Sequence, residues 1–72
     1  MIKGKYYIVV VSNLIFFGKY VSSSAFLAKF SNGAEVTENG VFDVGVFYLN
    51  KNKITACNLI SEKDLKKYKQ KR

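Results

Sequence analysis

Eleven of the 72 residues are tyrosine or phenylalanine and twelve are lysine or arginine, and these two groups hold most of the side chains that could do chemistry. Histidine is absent, there is one cysteine, Cys57, and the acids number five. Without an imidazole, Ser22, Ser23, Ser24 or Cys57 would lack the usual general base, and no two carboxylates form a recognisable acid and base pair. No catalytic residue is therefore expected. His and Cys metal clusters are excluded by count, and the stretch from Gly40 to Gly45 lacks the lysine and helix that complete a phosphate-binding loop, so no metal and no cofactor is expected either.

What remains is surface chemistry. The net charge is +7, and Ser61 to Arg72 carries six of the twelve cations, Lys63, Lys66, Lys67, Lys69, Lys71 and Arg72, against Glu62 and Asp64. Such a balance favours a polyanion, either nucleic acid or an anionic membrane surface. Three adjacent aromatic pairs, Tyr6-Tyr7, Phe16-Phe17 and Phe47-Tyr48, sit in strand-like runs, where alternation sends one member to each face. Tyr6, Phe17 and Phe47 are assigned outward with Lys19 and Lys29. Rings interleaved with lysines suit single-stranded nucleic acid, since bases stack on the rings and phosphates meet the cations.

The competing reading uses the same face differently. Ile8, Val10 and Ile15 stand beside Phe17, and such an apolar group also makes the centre of a protein interface. On that reading the chain is an interaction module, a homodimer through Ile8, Val10, Ile15 and Phe17 or an accessory or inhibitory protein on a larger partner.

The elements that must position these residues are short. Lys5 to Val11 and Leu14 to Val21 form a hairpin around Ser12-Asn13, which pairs Val11 with Leu14, Val9 with Phe16 and Tyr7 with Gly18 on one face. Val10 with Ile15, Ile8 with Phe17 and Tyr6 with Lys19 make the other. The first face is charge-free and is assigned to the core, with the Tyr7 ring over Gly18. The second is too apolar for water, and its cover is barrel closure, the C-terminal helix or another molecule.

A β-meander from Ala25 to Leu49 follows, in which Phe26, Ala28 and Phe30 alternate with Leu27, Lys29 and Ser31 as a half-buried strand and turns are expected at Asn32-Gly33 and Asn39-Gly40. A bulged turn at Asn32-Gly33 places Lys29 opposite Glu35 and Ala28 opposite Val36. In Val41 to Leu49, alternation puts Phe42, Val44, Val46 and Tyr48 inward, and Gly45 marks a bulge or sharp bend. Lys53 to Asn58 is a last strand holding Cys57 as a small buried hydrophobe. Ser61 then caps a helix, Asp64 completes a shortened capping box, Ile60 staples onto Leu65, and Leu65 and Tyr68 dock on the sheet.

Residues 1–72 read as one mainly β domain: a small antiparallel barrel of five or six strands with a basic C-terminal helix and tail from about residue 61. At the level of fold it resembles the SH3-like small barrels, with an OB-type barrel as the alternative. A chain this short buries only about 60% of its unfolded surface, so its core is thin, and with no disulfide or metal to help, a homo-oligomer is the support left open. The segment from Met1 to Ala25 partly resembles a secretory signal. Ser12-Asn13 and the β-branched run Ile8 to Val11 read better as strand and turn. The apolar run falls short of the roughly 20 residues that span a bilayer, and the single thiol points to the cytoplasm. The primary reading is a small basic non-enzymatic nucleic-acid-binding protein.

Overall fold

The computed structural model describes residues 1–70, with side chains through Lys67. Strands β1 (Tyr6–Val11), β2 (Leu14–Ser23), β3 (Leu27–Thr37), β4 (Gly40–Asn50) and β5 (Ile54–Ile60) form one antiparallel sheet in the order β4-β3-β2-β1-β5. A single 3-10 turn, Lys51–Lys53, joins β4 to β5, and helix α1 (Glu62–Gln70) ends the described chain. The sheet bends over itself in the manner of an SH3-like small barrel without closing, because β4 and β5 each pair on one side only.

The first hairpin has the expected register, from Val11 opposite Leu14 to Tyr6 opposite Lys19. Ser12 takes the left-handed conformation its two-residue loop needs, at φ 53°. This hairpin is the middle of the sheet, with β5 on the outer edge of β1 and β3 on the outer edge of β2.

The expected turn at Asn32-Gly33 is not a turn. β3 runs through it as one 11-residue strand, with Lys29 opposite Ser22 on one side and Tyr48 on the other rather than opposite Glu35. Asn32, not Gly33, is left-handed, at φ 50°, and the pairing with β4 slips between Phe30 and Gly33. Asn and Gly serve a bulge as readily as a hairpin turn. Here the bulge prevails because a continuous β3 pairs with both β2 and β4 along their lengths, whereas a hairpin would take Ala34, Glu35 and Val36 away from Phe17, Phe16 and Ile15 in the first half of β2.

The bend is built where three glycines meet. A Cβ on Gly18 would lie 3.0 Å from Cε1 of Phe47 and 3.1 Å from Cβ of Phe30, and one on Gly33 would enter the Phe47 ring and come within 2.8 Å of the Gly45 carbonyl. Gly45 itself turns at φ 68°. Phe47 therefore fills the crease, stacked on Phe30 at 5.0 Å and on Phe16 at 5.2 Å between centroids. The ring over Gly18 is Phe47 rather than Tyr7, which meets Tyr20 edge-on at 6.5 Å.

This bulge also corrects the facing of β4. Phe42, Val44, Val46 and Tyr48 are exposed, and Val41, Phe47 and Leu49 turn inward. Alternation cannot carry through a bulge: Val41 shares a face with Val36, but past Gly45 the odd-numbered Phe47 and Leu49 lie with Phe30 and Ala28 on the opposite face.

Two core clusters result. Tyr7, Val9, Tyr20, Ala28, Phe30 and Leu49 fill the inside of the bend. On the other side of the central strands, Phe17, Ala34 and Val41 are closed over by Leu65 of α1, with Tyr6, Ile8, Val36 and Ile60 around them. Of the three covers considered for the second hairpin face, the helix is the one present. Phe17 is fully buried and so does not face outward, and together with Ile8 it belongs to this intramolecular core rather than to a homodimer surface. Val10 and Ile15 are half-buried.

Local chemistry fixes the lid. The Ser61 hydroxyl accepts the Asp64 backbone N–H at 3.1 Å, the Ser61 carbonyl accepts the Leu65 N–H at 3.0 Å, and Glu62 and Asp64 place negative charge at the positive end of the helix. Ile60 and Leu65 share the second cluster. Tyr68 as a second docking residue, and Lys69, Lys71 and Arg72 as tail cations, lie outside the described side chains.

Candidate nucleic-acid interface

The structure divides the expected platform. Phe17 lies under α1, and Phe47, also assigned outward, lies in the crease between Phe16 and Phe30. Neither ring offers a face to a base. Tyr6 and Lys19 are cross-strand partners, both half-buried, and the Tyr6 hydroxyl accepts from Asn32 Nδ2 at 3.4 Å. Lys29 stands apart from them, its ammonium 5.8 Å from the centroid of the exposed Tyr48 ring. On α1, Lys63, Lys66 and Lys67 are exposed.

A different group of residues meets at one end of the sheet, where the loop between β2 and β3 touches the turn between β4 and β5. The Lys51 N–H donates to the Phe26 carbonyl and the Lys51 ammonium to the Ser24 carbonyl, each at 2.8 Å. Within the first loop, the Ser24 N–H donates to the Leu27 carbonyl at 2.8 Å and the Ser24 hydroxyl accepts the Leu27 N–H at 3.2 Å. Within the second, Asn50 Oδ1 accepts the Asn52 N–H at 2.9 Å. Two short connections are thus fixed to each other by backbone as well as side-chain bonds. Phe26 projects from them with 67% of its surface exposed, next to Lys51, Asn52 and Lys53, all exposed.

Charge supports this end. All five acids lie at positions 35, 38, 43, 62 and 64, so residues 1–34 and 44–61 carry Lys3, Lys5, Lys19, Lys29, Lys51 and Lys53 with no carboxylate among them. An exposed ring, two lysines and amide side chains on a preorganised pair of loops can stack a base and meet its phosphates.

Reading the sequence alone missed Phe26 because it falls in step with Ala28 and Phe30 and so looks like the first inward residue of a strand. The available signal was Ser22-Ser23-Ser24, a break after which Phe26 need not obey the alternation. Lys51 reads only as part of a polar turn, Asn50-Lys51-Asn52, and Lys53 as the first residue of the last strand. Cys57, expected buried, is exposed on β5. Partial burial of its thiol among neighbouring atoms still raises the pKa, and the positive N-terminus opposes this in smaller measure.

No family model matches this sequence, and no curated protein does. Solved structures do match. The chain superposes on the crystal structure of the P. aerophilum SmAP1 heptamer with a TM-score of 0.73, at 13% identity over 81% of each chain. It matches a heptameric archaeal Sm protein equally well, with a TM-score of 0.73 and 13% identity over 81% of this chain and 88% of that one. The fold is that of the Sm proteins.

Proposed function

We propose that this chain is a non-enzymatic protein that binds single-stranded nucleic acid at the loop end formed by Ser24, Phe26, Lys51 and Lys53, with Lys63, Lys66 and Lys67 of α1 adding attraction for phosphate. The observation that carries the reading is the exposed Phe26 ring on a loop bonded to the basic Lys51–Lys53 turn, both drawn from sequence segments without carboxylates. Lysines on α1 act at longer range and without sequence preference, as surface cations do. The tail cations Lys69, Lys71 and Arg72 belong to the same proposal by charge alone.

The test is fluorescence anisotropy of labelled single-stranded RNA, single-stranded DNA and duplex DNA across a salt series. Binding of a single strand should weaken with salt, log K falling by about 0.7 per phosphate contacted. Phe26→Ala should cost about 1 to 3 kcal/mol of binding free energy, and Lys51→Gln should make the salt slope shallower by about one contact. Absence of binding by every probe at low salt would defeat the proposal.

A second reading, assembly into a homo-oligomer, is favoured by the sheet edges. β4 presents an unpaired edge flanked by exposed Phe42, Val44 and Val46, and β5 presents the other with exposed Leu59. Long apolar edges are templates for strand pairing. Because the two edges differ, pairing β4 of one copy with β5 of the next is heterologous and yields a ring where the rotation closes; both solved structures of similar fold are heptamers. Native mass spectrometry should find a discrete multimer, and Val44→Lys with Val46→Lys should reduce it to monomer. A wild-type chain that stays monomeric at high micromolar concentration would exclude this assembly.

A further inference from the structure

We propose a second nucleotide-binding position on the outer sheet face, centred on Tyr48 and Lys29, which takes the next segment of a single strand already held at the loop end; this rests on the nucleic-acid reading above. Cross-strand pairing places Ser22 of β2, Lys29 of β3 and Tyr48 of β4 in one row. Directly opposed residues share a face, so the three side chains stand together on the side of the sheet away from the bend. The row belongs to this face because Phe30, Phe47, Ala28 and Leu49, adjacent to it along the strands, fill the inner core.

Three features make the row fit a nucleotide. The Tyr48 ring is 58% exposed and rigidly based on a strand, while the Lys29 ammonium is held 5.8 Å from its centroid, which keeps a cation beside a stacking surface. Below them lies a shallow cleft of about 180 Å³ lined by Ser22, Ser23, Ser24, Leu27, Lys29 and Tyr48. That volume is below the 300 Å³ or more typical of an enclosed small-molecule site, and Ser22, Ser23, Ser24 and Lys29 bring hydroxyls and a cation to a lining whose surface is otherwise mostly apolar. No carboxylate lies in residues 1–34 or 44–61, the segments from which the whole row and the loop end are drawn.

Continuity with the loop end sets the path. Ser24 lines the cleft and its carbonyl also accepts the Lys51 ammonium. Tyr48 precedes Lys51 by three residues, roughly 10 Å at the rise of a strand. A strand whose first base rests on Phe26 therefore passes the cleft and reaches Tyr48 within a short span, and only an oligonucleotide long enough to do so gains the second contact.

Length dependence is the test. Labelled oligouridylates and oligothymidylates of about 3 and 12 nucleotides are titrated with the full chain and with Tyr48→Ala, Tyr48→Phe, Lys29→Gln and Phe26→Ala. Tyr48→Ala should weaken the 12-mer about tenfold and leave the 3-mer unchanged, while Tyr48→Phe retains affinity because the ring and not the hydroxyl does the stacking. Lys29→Gln should reduce the salt slope of the 12-mer by about 0.7. Phe26→Ala should weaken both lengths. If the chain binds and Tyr48→Ala affects neither length, or both equally, the second position is wrong while the loop-end site stands. If Tyr48→Ala instead alters the native mass, the face is a contact between copies and the inference is overturned. If no oligonucleotide binds the wild-type chain, the nucleic-acid reading itself has failed.

Discussion

Phe47 separates the platform reading from the folded core most sharply, because an outward stacking residue and a crease-filling residue respond to truncation in opposite ways. Its ring stacks between Phe16 and Phe30 and occupies the space that a side chain on Gly33 would need. Burying and then deleting a phenylalanine typically costs 3 to 5 kcal/mol, and half-buried Phe47 belongs near the lower end, about 3 kcal/mol. A domain of this length has on the order of 4 to 11 kcal/mol of total stability. At roughly 4 to 8 °C per kcal/mol, Phe47→Ala should lower Tm by about 12 to 24 °C.

Gly33→Ala attacks the same contact from the other side. The added methyl meets the Phe47 ring, which cannot swing away because Phe16 and Phe30 flank it, and overpacking of this kind costs about 1 to 3 kcal/mol. Combined with Phe47→Ala, the methyl enters the space the ring leaves, although the Gly45 carbonyl oxygen at 2.8 Å must still shift. The pair should therefore be less destabilising than the sum of the single changes by about 1 kcal/mol or more, as contacting residues are. Circular dichroism melts of the four proteins at equal concentration measure this cycle. Additivity within about 0.5 kcal/mol, or a Phe47→Ala melt within a few degrees of wild type, would refute the crease.

Leu65→Ala should release α1 from the second cluster, lowering Tm by about 8 °C or more and raising the fluorescence of an apolar dye as Phe17 is uncovered; protected α1 amides in the variant, seen by hydrogen exchange, would contradict the lid. Cys57 should titrate above the ordinary thiol range in the folded chain, because partial burial disfavours the thiolate. Its rate of reaction with a disulfide reagent should accordingly rise through a higher pH midpoint than in the urea-unfolded chain. Equal midpoints, or a lower one when folded, would reverse the sign.

The sequence was most legible where a short loop dictates geometry. Two residues, Ser12 and Asn13, fix the register of the first hairpin at all six pairs, and Ser61 announces the helix start by a side-chain bond that forms. Legibility failed at the bulges. Asn32-Gly33 has the same composition whether it reverses the chain or merely kinks it, and only the presence of β2 and β4 on either side of β3 decides the matter. From that error the others follow. A period of two carried across Gly45 sends Tyr48 inward and Phe47 outward, which exchanges an exposed ring for one packed in the crease. Phe26 was lost for a related reason, since alternation was extended backward past the start of β3 at Leu27.

The two proposed activities reinforce each other through geometry. Heterologous pairing of β4 with β5 repeats one rotation from copy to copy, so each loop end takes an equivalent place about the axis of the assembly. A single Phe26 with two lysines offers few contacts and modest affinity, and the thin core of a short chain leaves little room to build a deeper pocket. Repetition supplies what one copy cannot: once one copy holds a strand, the next loop end binds it at an effective concentration set by the short tether between them. Affinity for oligonucleotides should then climb in steps as length reaches each further copy, and the Val44→Lys, Val46→Lys variant, which keeps every loop-end residue, should lose those steps while retaining the affinity of a single site. A smooth length dependence in the wild-type multimer, unchanged in that variant, would show that assembly and binding are independent.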